Sequence, residues 1–204
     1  MEKANLQEIV GRFGSSRIII LGDVMLDRYI FGEVNRISPE APAPVVEVRR
    51  EAVAPGGASN VAANIKALGD TPFVIGVTGD DGADELLRGE FERRCLTADY
   101  LIVDKSRKTT LKTRIIAESQ QIARIDREQT HEISAEIENE VLTNFEKIAG
   151  DAKALIISDY GKGVITESLL ERLIPLARDK GLFVAVDPKE THFMNYKDVS
   201  LITP

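Results

Sequence analysis

The sequence predicts an α/β protein with a mostly parallel central sheet flanked by helices and a small antiparallel sheet beside it. Three observations carry this expectation. Arg17–Leu21, Ala154–Ile157 and Leu182–Val186 are short, continuous apolar runs rich in β-branched residues, the kind buried on both faces of a parallel sheet. Helix-period segments separate them, as βαβ units require. The runs end at Gly22-Asp23, Ser158-Asp159 and Asp187-Pro188, which puts carboxylates beyond strand carboxyl ends, where open α/β sheets hold ligands.

Taken in order, residues 3–13 carry Leu6, Ile9, Val10 and Phe13 at the spacing of an amphipathic helix. The first strand follows, with Asp23 and Asp27 expected just past its end. Asp23 can also serve structurally, accepting backbone N–H bonds in its own turn. In residues 28–53, Pro39, Pro42 and Pro44 forbid a helix, and Val46 and Val48 alternate with Glu47 and Arg49, so extended strands outside the main sheet are expected. Pro55-Gly56-Gly57-Ala58-Ser59-Asn60 opens a helix over 57–68, with Val61, Ile65 and Leu68 inward and Gly69 as its stop. A strand (72–77), a helix (81–95) and a strand (99–103) come next. Over 109–117, Leu111, Thr113 and Ile115 alternate with Lys112, Arg114 and Ile116, and 121–126 continues the pattern. Residues 28–53 and 109–126 therefore form a small antiparallel lid. A helix opened by Ser134 (134–149), the Ala154 strand, a helix from Thr166 to Gly181 kinked at Pro175, and strands at Leu182–Val186 and Val199–Ile202 complete the chain.

Composition narrows the function. The 204 residues suit one sizeable core, 43% are hydrophobic and 29% charged, and the net charge of −7 argues against nucleic-acid or anionic-membrane partners. No apolar run approaches the ~20 residues of a membrane span, and the first residues are no secretory signal, so a cytoplasmic setting is expected. The lone Cys95 allows no intrachain disulfide and reads as a core residue; Met25 reads as packing. His131 and His192 are isolated, with neither metal-ligand nor triad spacing, so no metal site is expected from protein side chains. Neither Gly-x-Gly-x-x-Gly after the first strand nor Gly-x-x-x-x-Gly-Lys-Ser/Thr is present.

What remains is a stretch reading Gly-Gly-x-x-Asn-x-Ala from Gly56, then six residues to Gly69 and nine more to Gly79. This resembles the first signature of the ribokinase-like (PfkB-type) carbohydrate kinases. Gly22-Asp23-Val24-Met25-Leu26-Asp27-Arg28-Tyr29, Arg36-Ile37-Ser38-Pro39-Glu40-Ala41-Pro42 and Ser158-Asp159-Tyr160-Gly161-Lys162-Gly163 narrow the resemblance to heptose 7-phosphate kinases of ADP-heptose and lipopolysaccharide synthesis. It implies a ribokinase-like fold, ATP and Mg²⁺ as cofactors, a sugar phosphate as substrate and a homodimer joined through the lid. Asp27, Gly56, Gly57 and Asn60 match the positions that hold the sugar. Asp159 resembles the polar residue that reaches sugar or phosphate, and Asp187-Pro188-Lys189 resembles a motif whose lysine faces the transferring phosphate. Glu190 stands here where kin have glycine.

A phosphorylated substrate also calls for cations. Lys112 and Arg114 on one lid face are candidates, with Arg36, Arg124 and Lys162, and Gln120-Gln121 offers amides; a solvated strand face is the competing reading of each. The resemblance further implies an Asn-x-x-Glu after the last strand and a Gly-Ala-Gly-Asp bearing the general base. Neither occurs there within the 204 residues, so the base is expected beyond Pro204 and the chain reads as the amino-terminal part of one kinase domain, inactive alone. The alternative is a non-catalytic sugar-phosphate-binding or dimerisation module.

Overall fold

The structure, a computed structural model, describes residues 3–203. Pro204, which the sequence reading placed at the end of the last strand, lies outside the described residues. The chain runs α1 (Lys3–Val10), β1 (Arg17–Gly22), β2 (Val24–Ile37), β3 (Pro44–Gly57), α2 (Ala58–Ala67), β4 (Thr71–Thr78), α3 (Gly82–Arg93) and β5 (Leu101–Val103). It continues through β6 (Thr110–Ala117), β7 (Gln120–Arg127), α4 (Ala135–Ala149), β8 (Ala154–Ser158), α5 (Glu167–Asp179), β9 (Phe183–Asp187), a 3-10 turn (Glu190–Asn195) and β10 (Leu201–Ile202).

Among the described residues, six strands form the main sheet in the order β10-β9-β8-β1-β4-β5, every neighbouring pair parallel. Alternation along β1 explains the layering. Ile19 and Leu21 face a core shared with Val141 and Phe145 of α4 and Leu169 and Leu173 of α5, whereas Ile20 faces Ala62 of α2 and Leu87 and Phe91 of α3. A sheet covered on both faces needs apolar residues at consecutive positions, which is why β1 reads as an unbroken apolar run. Strand order reverses at β1, so the crevice between the carboxyl ends of β1 and β8 is the topological switch point.

The second sheet has the order β3-β2-β6-β7 and is mixed rather than wholly antiparallel, because β2 and β6 pair in parallel. The cause is topological. β2 leaves the carboxyl end of β1 and β6 leaves the carboxyl side of β5, so both depart the main sheet in the same direction. The ribbon is longer than expected: β2 begins at Val24 and β3 runs through Gly57 directly into α2.

Two further expectations change, those for Cys95 and Asp27. Cys95 is exposed rather than buried, because α3 ends at Arg93 and Cys95 takes a left-handed conformation (φ 52°) that turns its side chain outward. Pro175 sits within the continuous span of α5. Asp27 lies inside β2 instead of at a strand end.

The lid is anchored to the main sheet through Asp81, the N-cap of α3. Its carboxylate accepts from the Ala83 and Asp84 N–H groups at 3.2 and 3.1 Å and from the Thr109 N–H, just before β6, at 3.1 Å. Burial pushes this carboxyl up, but hydrogen bonds from Thr109, Asp84 and Ala83 outweigh it and hold the group below the usual aspartate range. Asp81→Ala is expected to cost about 1–2 kcal/mol, as lost caps do. A lowered folded-state pKa means the stabilisation is complete above the unfolded value near ~4 and is lost as pH falls through the folded value. Urea unfolding should therefore show the wild-type and variant gap at neutral pH closing in acid; an unchanged gap would count against this role.

Candidate active site

The floor of the crevice is built on Asp23. A Cβ at Gly22 would overlap the Ser158 carbonyl, so glycine alone lets the ends of β1 and β8 approach this closely. The Asp23 N–H donates to the Ser158 carbonyl at 3.1 Å. Its carboxylate, 1% exposed, accepts the N–H groups of Tyr160 (2.7 Å), Lys162 (3.1 Å) and Val164 (3.3 Å). Burial raises the Asp23 pKa, the three N–H bonds oppose the rise, and the neighbouring Asp159 charge adds to it. Asp23 is thus structural as anticipated, but it ties down a distant glycine loop rather than its own turn.

The same residue fixes the Gly-Gly motif. Gly57 has φ 55° and a Cβ there would overlap the Asp23 carbonyl, which accepts the Ala58 N–H at 3.0 Å. Gly57 caps α2 without a side-chain bond, and Asn60 lies exposed in the first turn of the helix. Gly56 serves Asp27: a Cβ on Gly56 would come within 2.7 Å of Asp27 Oδ2. Gly56, Gly57 and Asp27 are therefore brought together at the junction of the two sheets, with Asn60 exposed in the adjoining first turn of α2.

One face of the second sheet roofs this junction. Register places Asp27 opposite Lys112, Tyr29 opposite Arg114, Lys112 opposite Asp126 and Arg114 opposite Arg124, so all six side chains leave the same face. Arg114 Nη1 donates to Asp27 Oδ1 at 2.5 Å, and its guanidinium lies 5.4 Å from the centre of the Tyr29 ring. Lys112 Nζ bridges Asp126 and Glu128 at 3.3 Å each, and Arg124 reaches Asp126 at 3.0 Å. Lys162, from the glycine loop of the main sheet, reaches Glu128 Oε1 at 2.8 Å. The hydrogen bond from Lys162 holds the Glu128 carboxyl below its usual range, with burial opposing and Lys112 assisting. Asp126 is also lowered; burial acts against it, and Lys112 and Arg124 prevail.

Asp159 requires correction as a substrate ligand. Its side chain is 1% exposed, and its carboxylate is already taken by the Gly161 N–H (2.8 Å), His192 Nδ1 (2.6 Å) and the Tyr196 hydroxyl (2.5 Å). These donors come from the glycine loop and from the segment after β9, so Asp159 joins the two. Burial, the hydrogen bond to Asp159 and its charge together push the Tyr196 hydroxyl far up, keeping it a donor. His192 is accordingly not isolated. Arg36 lies nine residues beyond Asp27 along an extended strand, about 30 Å away, and Gln120 and Gln121 start β7 at its other end, so neither reaches the junction.

Asp187 and Lys189 are exposed at the end of β9. The absent Cβ of Gly161 leaves room for the Lys189 stem, whose Cγ would lie 3.3 Å from such an atom. Tyr160 follows Asp159 in the loop held by Asp23: burial raises its pKa first, and the charges of Asp187, Asp27 and Asp23 raise it further.

Sequence reasoning missed Arg107, a buried guanidinium that donates to the Lys162 and His131 carbonyls at 3.0 and 2.7 Å. Nothing in its spacing singles it out. Glu128 was also missed, although Arg124, Asp126 and Glu128 extend the two-residue alternation of the lid. A cavity of about 220 Å³ between α5 and residues 195–198 contains none of these groups. Among the described residues, no group of three or more His, Cys, Asp or Glu side chains is gathered as metal ligands, and no helix is long and apolar enough to cross a membrane.

A parallel sheet with its polar groups at the switch point, roofed by a β-ribbon that grows out of the first strand, defines a sugar-kinase architecture. The chain belongs to the pfkB family of carbohydrate kinases, whose family model matches residues 15–203. It is 42% identical over 205 residues to the bifunctional protein HldE of Desulfatibacillum aliphaticivorans, an alignment covering 100% of this chain and 42% of that protein. The chain thus spans about two fifths of the length of the curated relatives it matches. Among solved structures, phosphofructokinase-2 from Escherichia coli with substrates and products superimposes with a TM-score of 0.72 at 20% identity, covering 92% of this chain and 60% of that one. Arabidopsis thaliana ribokinase complexed with ribose and ATP gives 0.60 at 15% identity, covering 85% and 53%. At these identities the structures establish the fold, which is ribokinase-like.

Asp23→Ala is expected to lower stability by about 3 kcal/mol, because three N–H groups, one buried and two partly buried, lose their acceptor at about 1 kcal/mol each. Tyr196→Phe removes one donor of three from Asp159 and should cost roughly 1 kcal/mol. Denaturant unfolding of both variants checks the ranking, and equal losses would contradict it.

Proposed function

We propose that this chain is the amino-terminal, sugar-binding part of a kinase domain that transfers a phosphoryl group from ATP to C1 of D-glycero-D-manno-heptose 7-phosphate. The observation carrying this reading is the single lid face shared by Asp27, Lys112, Arg114 and Arg124, with Asp27 set against Gly56. A sugar needs a carboxylate and amide groups for its hydroxyls, which Asp27, the open first turn of α2 and Asn60 supply. A phosphate ester needs cations at the far end of the sugar, which Lys112, Arg124 and Lys162 supply. Arg114, held on Asp27, orients that carboxylate. Identity to HldE over the whole chain supports the heptose substrate.

ATP with Mg²⁺ would supply the phosphoryl group. Lys189 and Asp187 offer it one ammonium and one carboxylate, which is only part of a nucleotide site. The rest of the domain, with the general base, would follow residue 204. The lid would also join two copies: β7 is exposed along its whole length and displays Ile122 (43% exposed) and Ile125 (57%). A non-catalytic binding module is the competing reading.

Calorimetric titration separates these ideas. The chain should bind heptose 7-phosphate without ATP turnover. Asp27→Ala should abolish binding of both heptose 7-phosphate and heptose while the far-ultraviolet spectrum stays unchanged. Lys112→Met should weaken heptose 7-phosphate about tenfold and leave heptose alone, as expected for one charge-assisted contact. Equal loss for both sugars would remove the phosphate role, and ADP release dependent on heptose 7-phosphate would overturn the division of labour along the chain.

A further inference from the structure

The geometry points to Glu128 as a specificity-determining residue: an internal carboxylate that fastens the lid to the glycine loop and holds the two lysines until a phosphoryl group displaces it. This rests on the sugar-phosphate reading above and extends it to how that site rejects other anions. Glu128 follows β7 and belongs to the lid. Its Oε2 takes Lys112 of the lid at 3.3 Å, and its Oε1 takes Lys162 of the main-sheet loop at 2.8 Å. One carboxylate thus clips the two sheets together through two ammonium groups. Asp126 and Arg124 flank the clip, with Asp126 bonded to both Lys112 and Arg124.

The side chains are in an intermediate setting. Lys112 and Lys162 are each 15% exposed and Glu128 27%, so the pairs are shielded enough to hold yet open to exchange. The cations Lys112, Lys162 and Arg124 face the carboxylates Asp126 and Glu128, leaving one positive charge over. A monoanionic ligand offers the lysines no more charge than Glu128 already does. A phosphate monoester carries close to two negative charges at neutral pH and three acceptor oxygens, so it can take over both lysines. Glu128 then sets a threshold that favours dianions. Its displacement releases the lid from the loop as the phosphate takes its place.

The test uses Glu128→Gln, which keeps the shape and removes the charge. Titration with heptose 7-phosphate, heptose and the monoanion dimethyl phosphate compares the variant with the wild type. The variant should bind heptose 7-phosphate about fivefold tighter or better, bind dimethyl phosphate measurably where the wild type does not, and bind heptose unchanged. Weaker or unchanged binding of heptose 7-phosphate would mean Glu128 positions the lysines instead of competing for them, and would overturn the proposal. Hydrogen exchange without ligand supplies an independent reading. Amides of β7 should exchange faster in Glu128→Gln, and unchanged exchange would overturn the clip. Failure of the wild type to bind either sugar would count against the substrate assignment, leaving the exchange result to decide the clip.

Discussion

The buried carboxylate of Asp23 is the constraint on which the rest of the site depends. It stands where strand order reverses, accepts three backbone N–H groups from the 160–164 loop, and through its carbonyl receives the first N–H of α2. Burying an isolated carboxylate is costly, and its pKa is raised accordingly, so the site tolerates it only because the N–H dipoles surround it. In return one residue sets the position of both the 160–164 loop and the turn into α2. Gly22 and Gly57 are obligatory for the same reason: a Cβ on either would collide with a carbonyl of this knot, Ser158 in one case and Asp23 in the other.

From that knot the roof follows mechanically. The chain leaves Asp23 as β2, returns as β3, and enters α2 at the glycine pair, so the ribbon carrying Asp27 is hinged at the same point as the helix it serves. β6 must depart in the same direction as β2, which makes their pairing parallel and puts Lys112 and Arg114 alongside Asp27 and Tyr29. Gly79 and Asp81 keep β6 at its root: the Gly79 N–H donates to Thr109 Oγ1 at 2.9 Å, and Asp81 accepts the Thr109 N–H. The second half of the glycine signature therefore positions the lid, whereas its first half lets β3 turn into α2 against Asp23 and Asp27.

Much of this was readable in advance because it rests on local periodicity. Unbroken apolar runs marked the parallel strands, and two-residue alternation marked Lys112 and Arg114 as sharing a face. Glycine and Asn60 marked the turn into α2. What escaped depends on pairings between distant segments. Asp159 ends a strand as a ligand residue would, but His192 and Tyr196, more than thirty positions later, fill its lone pairs. Cys95 has the spacing of a core residue, yet the helix stops two residues before it. The direction of β6 against β2 is likewise a property of the crossover between them, which no short window contains.

The carboxylates of the crevice divide into two kinds by what holds them. Asp23 and Asp159 are about 1% exposed, and backbone N–H groups, or a phenol and an imidazole tied to their own backbone segments, satisfy them. A ligand cannot exchange with such partners without opening the protein. Asp27, Asp126 and Glu128 are instead held by lysine and arginine heads on flexible stems, at side-chain exposures of 17–27%. Ion pairs in that range contribute on the order of 1 kcal/mol, well within what a dianionic ligand or a sugar hydroxyl network can replace. Strength of holding thus marks Asp23 and Asp159 as parts of the framework and leaves Asp27, Asp126 and Glu128 as the carboxylates whose partners a ligand can exchange with.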